Sequence, residues 1–256
     1  MGISEKIAYT IARGLFDRVG WKTQDALVQH GHRRYEELTY RRLSEIGMRA
    51  STIVDVGAYH GNWSRMMRSV QPAARIHLVE AQPALAPVIE QAAREIGNAL
   101  AHSALLSSNE GEEMAFHVMG TGSSMRRENS SVEAETLVLR TTTLDQLLGS
   151  DLDGPLFLKL DAQGAELDIL QGGLETLKRS NYVQIEVALQ NYNAGAPLIA
   201  DVMAFMTENA FLATEIVGFS RPADHLVQAD FLFARAGDVL RPPRFELGQI
   251  RRAPPG

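Results

Sequence analysis

Alternating strand and helix patterns run through most of the chain, from about residue 52 to about residue 235. Short apolar runs predict strands near 52–57, 75–80, 100–106, 114–119, 135–141, 155–161, 181–188, 212–218 and 228–235. Amphipathic stretches predict helices near 62–70, 83–97, 143–149, 165–179 and 197–209. This alternation is typical of βαβ units, and it predicts an α/β fold whose mainly parallel sheet has helices on both faces. Turn residues rather than a helix separate the last two strands, which predicts a hairpin and an antiparallel strand at the C-terminal edge of the sheet.

The N-terminal region has a different pattern. Apolar residues recur every four positions over 3–19, with basic residues off that stripe, which predicts an amphipathic helix, and a second helix is predicted over 34–47. The first helix suits packing on the main domain or on a second copy of the chain, as in a homodimer; the alternative is docking on a membrane surface. We therefore predict an N-terminal helical appendage over 1–50, the α/β domain over 51–236 and an irregular tail containing proline and arginine over 237–256.

Composition narrows the class of partner. The chain has 256 residues, of which 45% are hydrophobic, so it can bury a sizeable core. A net charge of −6 without a dominant lysine or arginine block argues against a nucleic-acid partner. The chain contains no cysteine and no signal-peptide pattern, which predicts a cytoplasmic protein, and no apolar run reaches the roughly 18 residues of a membrane span.

A glycine-containing turn follows the first strand of the α/β region. Asp55 precedes Gly57 and Gly61 in the pattern Asp-x-Gly-x-x-x-Gly, and these glycines let the backbone approach a ligand. Glu80 ends the next strand, where its carboxylate can accept hydrogen bonds from both hydroxyls of a ribose. A dinucleotide site needs Gly-x-Gly-x-x-Gly, and an acid beside the turn would repel a pyrophosphate. The same acid would suit the cationic methionine part of S-adenosylmethionine, so the pattern favours a methyl donor over NAD.

The predicted cofactor-binding residues lie in this turn, after the second strand and near the third strand, where an adenine ring is expected. They are Asp55, Gly57, Ala58, Tyr59, Gly61, Glu80, Ala81, His102 and Ala104.

Several segments between Ile53 and Arg235 together resemble the FkbM family of S-adenosylmethionine-dependent methyltransferases. The matching segments are Val54–Ser64, Val79–Pro83, Thr143–Asp145 and Leu158–Gly172. The resemblance implies a Rossmann-like class I methyltransferase domain, which usually acts on a hydroxyl of a sugar or of a glycosylated natural product. The sequence departs from the family's usual pattern at Tyr59, Ala81 and Gln163, where Asn, Pro and Glu are common. The last departure removes a carboxylate.

Methyl transfer to a hydroxyl needs a base or a metal, because an alcohol is a poor nucleophile at neutral pH. Asp161 ends a central strand and is our predicted base; Glu186 ends the next strand and is expected beside it. His60 in the first turn is an alternative base. Two adjacent acids share a proton or bind a divalent cation, so a Mg²⁺ ion held by Asp161 and Glu186 is another possibility. Asp161 also has a purely structural interpretation, as a cap of the following helix.

Loops at this end of the sheet are expected to contact the acceptor. The predicted substrate residues in them are Ser123, Ser124, Gln163 and Tyr192. Our functional hypothesis is an O-methyltransferase that acts on a small molecule or glycan, at a hydroxyl of a sugar or glycosylated metabolite. The alternatives are a methyltransferase for another acceptor, such as a lipid or an amide nitrogen, an NAD-dependent oxidoreductase, and a non-catalytic protein that binds S-adenosylmethionine.

Overall fold

The computed structural model of the protein describes residues 3–20, 23, 35–129, 134–149 and 152–242. The strands are β1 (Thr52–Val56), β2 (Arg75–Glu80), β3 (Ala99–Ser103), β4 (Leu105–Leu106), β5 (Glu113–Val118), β6 (Glu135–Thr142), β7 (Leu156–Leu160), β8 (Ser180–Ala188), β9 (Phe211–Ser220) and β10 (Gln228–Arg235). The helices are α1 (Ile3–Phe16), α2 (35–45), α3 (Asn62–Val70), α4 (Ala86–Ile96), α5 (Leu144–Leu148), α6 (Glu166–Gln171), α7 (Leu174–Arg179) and α8 (Ile199–Glu208).

A seven-stranded sheet forms the centre of the fold, in the order β3-β2-β1-β7-β8-β10-β9. Within this sheet, β3, β2, β1, β7 and β8 are parallel, and β10 runs antiparallel to both β8 and β9. This arrangement confirms the predicted α/β, Rossmann-like fold with a mainly parallel sheet and a C-terminal hairpin. The antiparallel strand β10 lies one position inside the edge, between β8 and β9. A separate three-stranded sheet, β4-β6-β5, adds to this core.

Two predicted elements are divided in the structure. The helix predicted over 165–179 is α6 and α7, which meet at a pair of glycines. A Cβ on Gly172 would lie 2.2 Å from the carbonyl oxygen of Ser107, so this glycine lets the chain pass close to a neighbouring backbone. The strand predicted over 100–106 is β3 and β4, which are separated by Ala104.

Helix α2 packs into the same core as the sheet. Tyr40 is fully buried, and its ring meets Phe157 of β7 edge to face, with ring centroids 5.7 Å apart. An ion pair of 2.7 Å between Arg42 and Glu215 also joins α2 to β9. The contacts place the N-terminal end of α2 near the carboxyl ends of the parallel strands, where it contributes to the site described below.

The two chain ends are described in part. The N-terminal amphipathic helix is present as α1, and its apolar residues Ile7, Ile11 and Leu15 are each more than half exposed, at 56–60%. Among the described residues, no helix is both long enough and apolar enough to cross a bilayer. Most of the predicted tail, residues 243–256, lies outside the described residues.

Candidate active site

A cavity of about 330 Å³ lies at the carboxyl ends of the parallel strands. Its lining includes residues from the ends of β1, β2, β7 and β8, from α2 and α3, from the start of β10, and from the segment that follows β5. Its volume is within the range of roughly 300–1,000 Å³ that is usual for small-molecule sites. Open parallel sheets bind ligands at this end, so the cavity is the candidate active site.

The first glycine of the turn after β1 is required by a close backbone contact. Gly57 has a φ of +77°, and a Cβ there would lie 1.9 Å from the carbonyl oxygen of Asp161 at the end of β7. Gly61 has a φ of +72° and lies outside the cavity lining, where a Cβ would be 2.8 Å from the Cβ of Ala92 in α4. Gly57 therefore joins the β1 turn to the end of β7, whereas Gly61 lets α3 pack on α4.

Glu80 is fixed at the end of β2 by the backbone around it. The N–H of Tyr59 donates to Glu80 Oε2 at 2.8 Å, and the N–H of Gln82 donates to Oε1 at 2.9 Å. The carboxylate lines the cavity and is 5% exposed. Each of its oxygens keeps a further lone pair, so Glu80 can also accept hydrogen bonds from the hydroxyls of a ligand.

Other residues predicted around the cofactor also line the cavity. They are Ala58, Tyr59, His60, Ala81 and Ala104. The rings of Tyr59 and His60 stack on each other, with centroids 3.9 Å apart and an interplanar angle of 17°. His60 is therefore within reach of a ligand, as its predicted role as an alternative base requires.

Asp55 lies beneath the turn rather than in the cavity lining. It is fully buried, and its Oδ2 accepts a hydrogen bond of 2.7 Å from the hydroxyl of Ser64. Its Oδ1 lies 3.3 Å from Nζ of Lys159, which also lies 3.3 Å from Asp161 Oδ2. Burial alone lowers the pKa of Lys159, but the charges of Asp161 and Asp55 raise it by more, so the net shift is upward. Lys159 is therefore a buried cation between two carboxylates.

The two predicted catalytic acids are neighbours in the structure. The side-chain amide of Gln163 donates to Asp161 Oδ1 at 3.2 Å and to Glu186 Oε1 at 2.7 Å, and Gln228 donates to the other oxygen of Glu186. Burial first, then the negative charges of Asp161 and Asp230, raises the pKa of Glu186 well above its usual value. Asp161 and Glu186 both line the cavity, whereas Gln163 lies outside the lining.

Two further acids reach this end of the cavity, and the sequence analysis missed both. Glu36 of α2 accepts hydrogen bonds from Trp63 Nε1 at 2.8 Å and from Gln184 Nε2 at 3.2 Å, and burial raises its pKa. Burial, followed by the charges of Asp161 and Glu36, raises the pKa of Asp230 to about 7. An acid within the apolar run that forms β10 was a signal for Asp230, but no local pattern marks Glu36.

Two of the predicted residues have their side chains elsewhere. The ring of His102 stacks with that of His77, at a centroid distance of 5.3 Å, and His102 lies outside the cavity lining. The hydroxyl of Tyr192 donates to Gln228 at 2.8 Å, and Tyr192 also lies outside the lining. An adenine platform at His102 and a direct substrate contact by Tyr192 are therefore not supported by their positions.

The segment 119–129 covers part of the cavity and brings the two predicted serines to it. Ser123 and Ser124 both line the cavity. The hydroxyl of Ser124 donates to the carbonyl of Gln163 at 2.8 Å. Arg126 forms an ion pair of 2.5 Å with Asp168 of α6. These contacts fix the segment onto the loop that carries Asp161 and onto helix α6, which follows that loop.

The predicted magnesium site gains no support from the structure. Among the described residues, no group of three or more histidine or acidic side chains is arranged to hold a metal ion. The amide nitrogen of Gln163, a hydrogen-bond donor, occupies the position between Asp161 and Glu186.

Comparison with known proteins gives one family match. The model of the methyltransferase FkbM domain matches residues 55–213. No curated protein matches the chain. The fold is similar to that of magnesium protoporphyrin IX methyltransferase from Synechocystis PCC 6803, with a TM-score of 0.45, 11% identity and coverage of 88% of this chain and 96% of that one. It is also similar to a putative RNA methyltransferase from Pyrococcus horikoshii, with a TM-score of 0.43, 13% identity and coverage of 80% and 81%. These similarities are too weak to indicate a substrate.

Proposed function

Because the chain belongs to the FkbM methyltransferase family, we propose that it transfers a methyl group from S-adenosylmethionine to a hydroxyl of a sugar or glycosylated metabolite. The observation that carries this proposal is a single cavity that has Glu80 on one side of β1 and the acids Asp161 and Glu186 on the other. A nucleoside cofactor and a polyhydroxyl acceptor need these two kinds of site next to each other.

The residues present fit the cofactor. Glu80 has free lone pairs for the hydroxyls of a ribose. Carboxylates outnumber ammonium groups in the lining, which contains Glu36, Glu80, Asp161, Glu186, Asp230 and Lys159. A pyrophosphate would meet one ammonium group among five acids in this lining, so the composition of the site disfavours a dinucleotide. When bound, S-adenosylmethionine supplies an electrophilic methyl group to the cavity.

Asp161 is the proposed base. It would accept the proton of the acceptor hydroxyl as the oxygen bonds to the donated methyl carbon and the carbon–sulfur bond breaks, with S-adenosylhomocysteine as the leaving group. About a third of its side chain, 31%, is exposed, whereas Glu186 is buried. The raised pKa of Glu186 keeps a proton on that group to higher pH than usual, so Glu186 is better suited to orient the acceptor than to deprotonate it. His60 remains the alternative base.

The test is methyl transfer from radiolabelled S-adenosylmethionine by the full chain. The acceptors are methyl α-D-glucopyranoside, methyl α-D-mannopyranoside, a phosphatidylethanolamine vesicle and an asparagine-containing peptide. We expect label in a glycoside, and we expect Asp161→Asn to reduce turnover by about 100-fold or more, because general-base catalysis contributes roughly 10²–10⁴-fold. Affinity for S-adenosylhomocysteine, measured by calorimetry, should stay nearly unchanged.

The matched control is Asp153→Asn, at an exposed aspartate outside the cavity lining. It should leave turnover and affinity as in the wild type. Full turnover by Asp161→Asn would refute the assignment of the base. If only the lipid or the peptide became labelled, the proposed sugar acceptor would be wrong and the enzyme would act on that other class of acceptor.

The homodimer and the cytoplasmic location stay predictions. The exposed apolar residues Ile7, Ile11 and Leu15 of α1 support an association through the N-terminal helices, and docking on a membrane surface stays the alternative. Light scattering of the purified chain measures its mass in solution and so tests the homodimer directly. The division into regions 1–50, 51–236 and 237–256 also stays a prediction.

A further inference from the structure

Building on the function proposed above, we propose that Gln163 is a positioning residue for the acids of the site. Its side-chain amide holds Asp161 and Glu186 in a fixed relation to each other, and its backbone carbonyl is bonded to the segment 119–129, which covers part of the cavity, and to the loop that follows β8. Gln163 lies outside the cavity lining, so it acts through the two acids and not as the substrate contact predicted from the sequence.

The side chain of Gln163 uses both hydrogens of its amide nitrogen. Nε2 lies 3.2 Å from Asp161 Oδ1 and 2.7 Å from Glu186 Oε1. A primary amide has two N–H donors, so one can point to each carboxyl group. Two neighbouring carboxylates repel each other, and a donor placed between them offsets this repulsion and fixes their orientation.

The backbone of Gln163 is held from two sides. Its φ is +53°, in the left-handed region that few residues other than glycine adopt. Its carbonyl accepts hydrogen bonds of 2.8 Å from Ser124 Oγ and 2.8 Å from Asn193 Nδ2. Both donors are buried, at 2% and 3% exposure, and they come from two separate loops. The side-chain amide of Gln163 is therefore held against the acids by the segment 119–129, which covers part of the cavity, and by the loop that follows β8.

Gln163 differs from the other amide that touches Glu186. Gln228 donates to Glu186 Oε2, and its own oxygen accepts a hydrogen bond of 2.8 Å from the hydroxyl of Tyr192. Of these two amides, Gln163 contacts both acids and Gln228 contacts one. Five other titratable groups also act on this pair; Lys159 is on β7, next to Asp161, and the other four are on other parts of the fold. The five groups are Glu36, Lys159, Glu166, Tyr192 and Asp230.

The test uses ¹³C NMR of the full chain with ¹³C-labelled aspartate and glutamate carboxyl groups, assigned with Asp161→Asn and Glu186→Gln. We expect Gln163→Leu to move the resonances of both Asp161 and Glu186. Gln228→Leu should move the resonance of Glu186 and leave that of Asp161 in place. The control Gln190→Leu, at an exposed glutamine, should move neither.

A second variant separates the amide bridge from backbone strain. Asparagine tolerates a positive φ better than leucine, so Gln163→Asn keeps the loop conformation while its shorter amide cannot span both acids. It should reproduce the two shifts of Gln163→Leu with less loss of thermal stability. Unchanged resonances in both Gln163 variants, or a shift of Glu186 alone, would overturn the proposal.

Turnover gives an independent readout. A hydrogen bond donated to a carboxylate favours its charged form, so removing it should move the acidic limb of kcat to higher pH, by about one pH unit. KM for S-adenosylmethionine should stay unchanged. The NMR experiment needs no acceptor, so an enzyme that methylates none of the tested acceptors would refute the proposed function while the resonances still decide the role of Gln163.

Discussion

Replacing Gly57 with alanine tests whether the contact between the β1 turn and the end of β7 holds the site together. The added Cβ would lie 1.9 Å from the carbonyl oxygen of Asp161, and Cβ atoms essentially never come within 3.0 Å of such an atom. The turn or the end of β7 must therefore move by roughly 1 Å. A left-handed backbone costs alanine about 1–2 kcal/mol, and overpacking of this kind costs about 1–3 kcal/mol more.

Gly111 provides the matched control. Its φ of +79° is close to the +77° of Gly57, but a Cβ at Gly111 would have no heavy atom within 4 Å. Gly111→Ala therefore carries the backbone cost without the clash, and the change in unfolded-chain entropy is similar in both variants. Gly57→Ala should lower the free energy of unfolding by about 1–3 kcal/mol more than Gly111→Ala does. The corresponding difference in Tm is on the order of 5 °C.

Urea unfolding and calorimetric titration with S-adenosylhomocysteine measure the two consequences. Because Gly57→Ala displaces the turn whose Tyr59 N–H holds Glu80, we expect an affinity about tenfold lower, which corresponds to about 1.4 kcal/mol. Gly111→Ala should bind like the wild type. Equal destabilisation by the two variants, together with equal affinities, would refute the reasoning.

Two further predictions concern the acids of the cavity. Glu80→Gln should weaken S-adenosylhomocysteine binding by about tenfold to 100-fold, because hydrogen bonds to a charged group contribute about 1.5–3 kcal/mol; the exposed control Glu90→Gln should have no effect, and calorimetry compares them. Asp230 has its pKa raised to about 7, mainly by burial and then by the charges of Asp161 and Glu36. The folded state thus holds this proton more tightly than the unfolded state, so stability is lost as pH rises from about 4 to about 7. The asparagine of Asp230→Asn does not titrate, so the variant avoids this loss. Urea unfolding should therefore show the variant gaining stability relative to the wild type as pH rises across this window. A difference in unfolding free energy that does not change with pH would contradict the assignment.

The sequence was sufficient to predict the main helices and strands and the acids at the ends of parallel strands. Glu80, Asp161 and Glu186 each end a predicted parallel strand, and parallel strands of one sheet bring their carboxyl ends to one edge. The structure places all three in the lining of one cavity. The family match confirms the predicted family and the predicted methyltransferase activity.

Other parts of the site depend on contacts between elements that are distant in sequence. Glu36 reaches the cavity because Tyr40, one helical turn later in α2, is buried against Phe157 of β7. The hydrophobic pattern of α2 predicts a helix but does not show which strand the helix packs against. His102 lies within β3, so its ring meets His77 of the neighbouring strand. Ala104 lies beyond the end of that strand and reaches the cavity. Ala104 therefore lines the cavity, whereas His102, two residues earlier, lies within the sheet.

The position of Asp55 changes how the most recognisable motif of the chain should be understood. The motif suggested a carboxylate that faces the cofactor, but this carboxylate is fully buried between Ser64 and Lys159. Removing one partner of a buried ion pair leaves the other charge uncompensated, at a cost of about 3–5 kcal/mol. A variant of Asp55 would therefore lose stability and would also release Lys159, which lies 3.3 Å from Asp161. Loss of activity in such a variant would follow from the displaced lysine and would not identify Asp55 as a cofactor ligand.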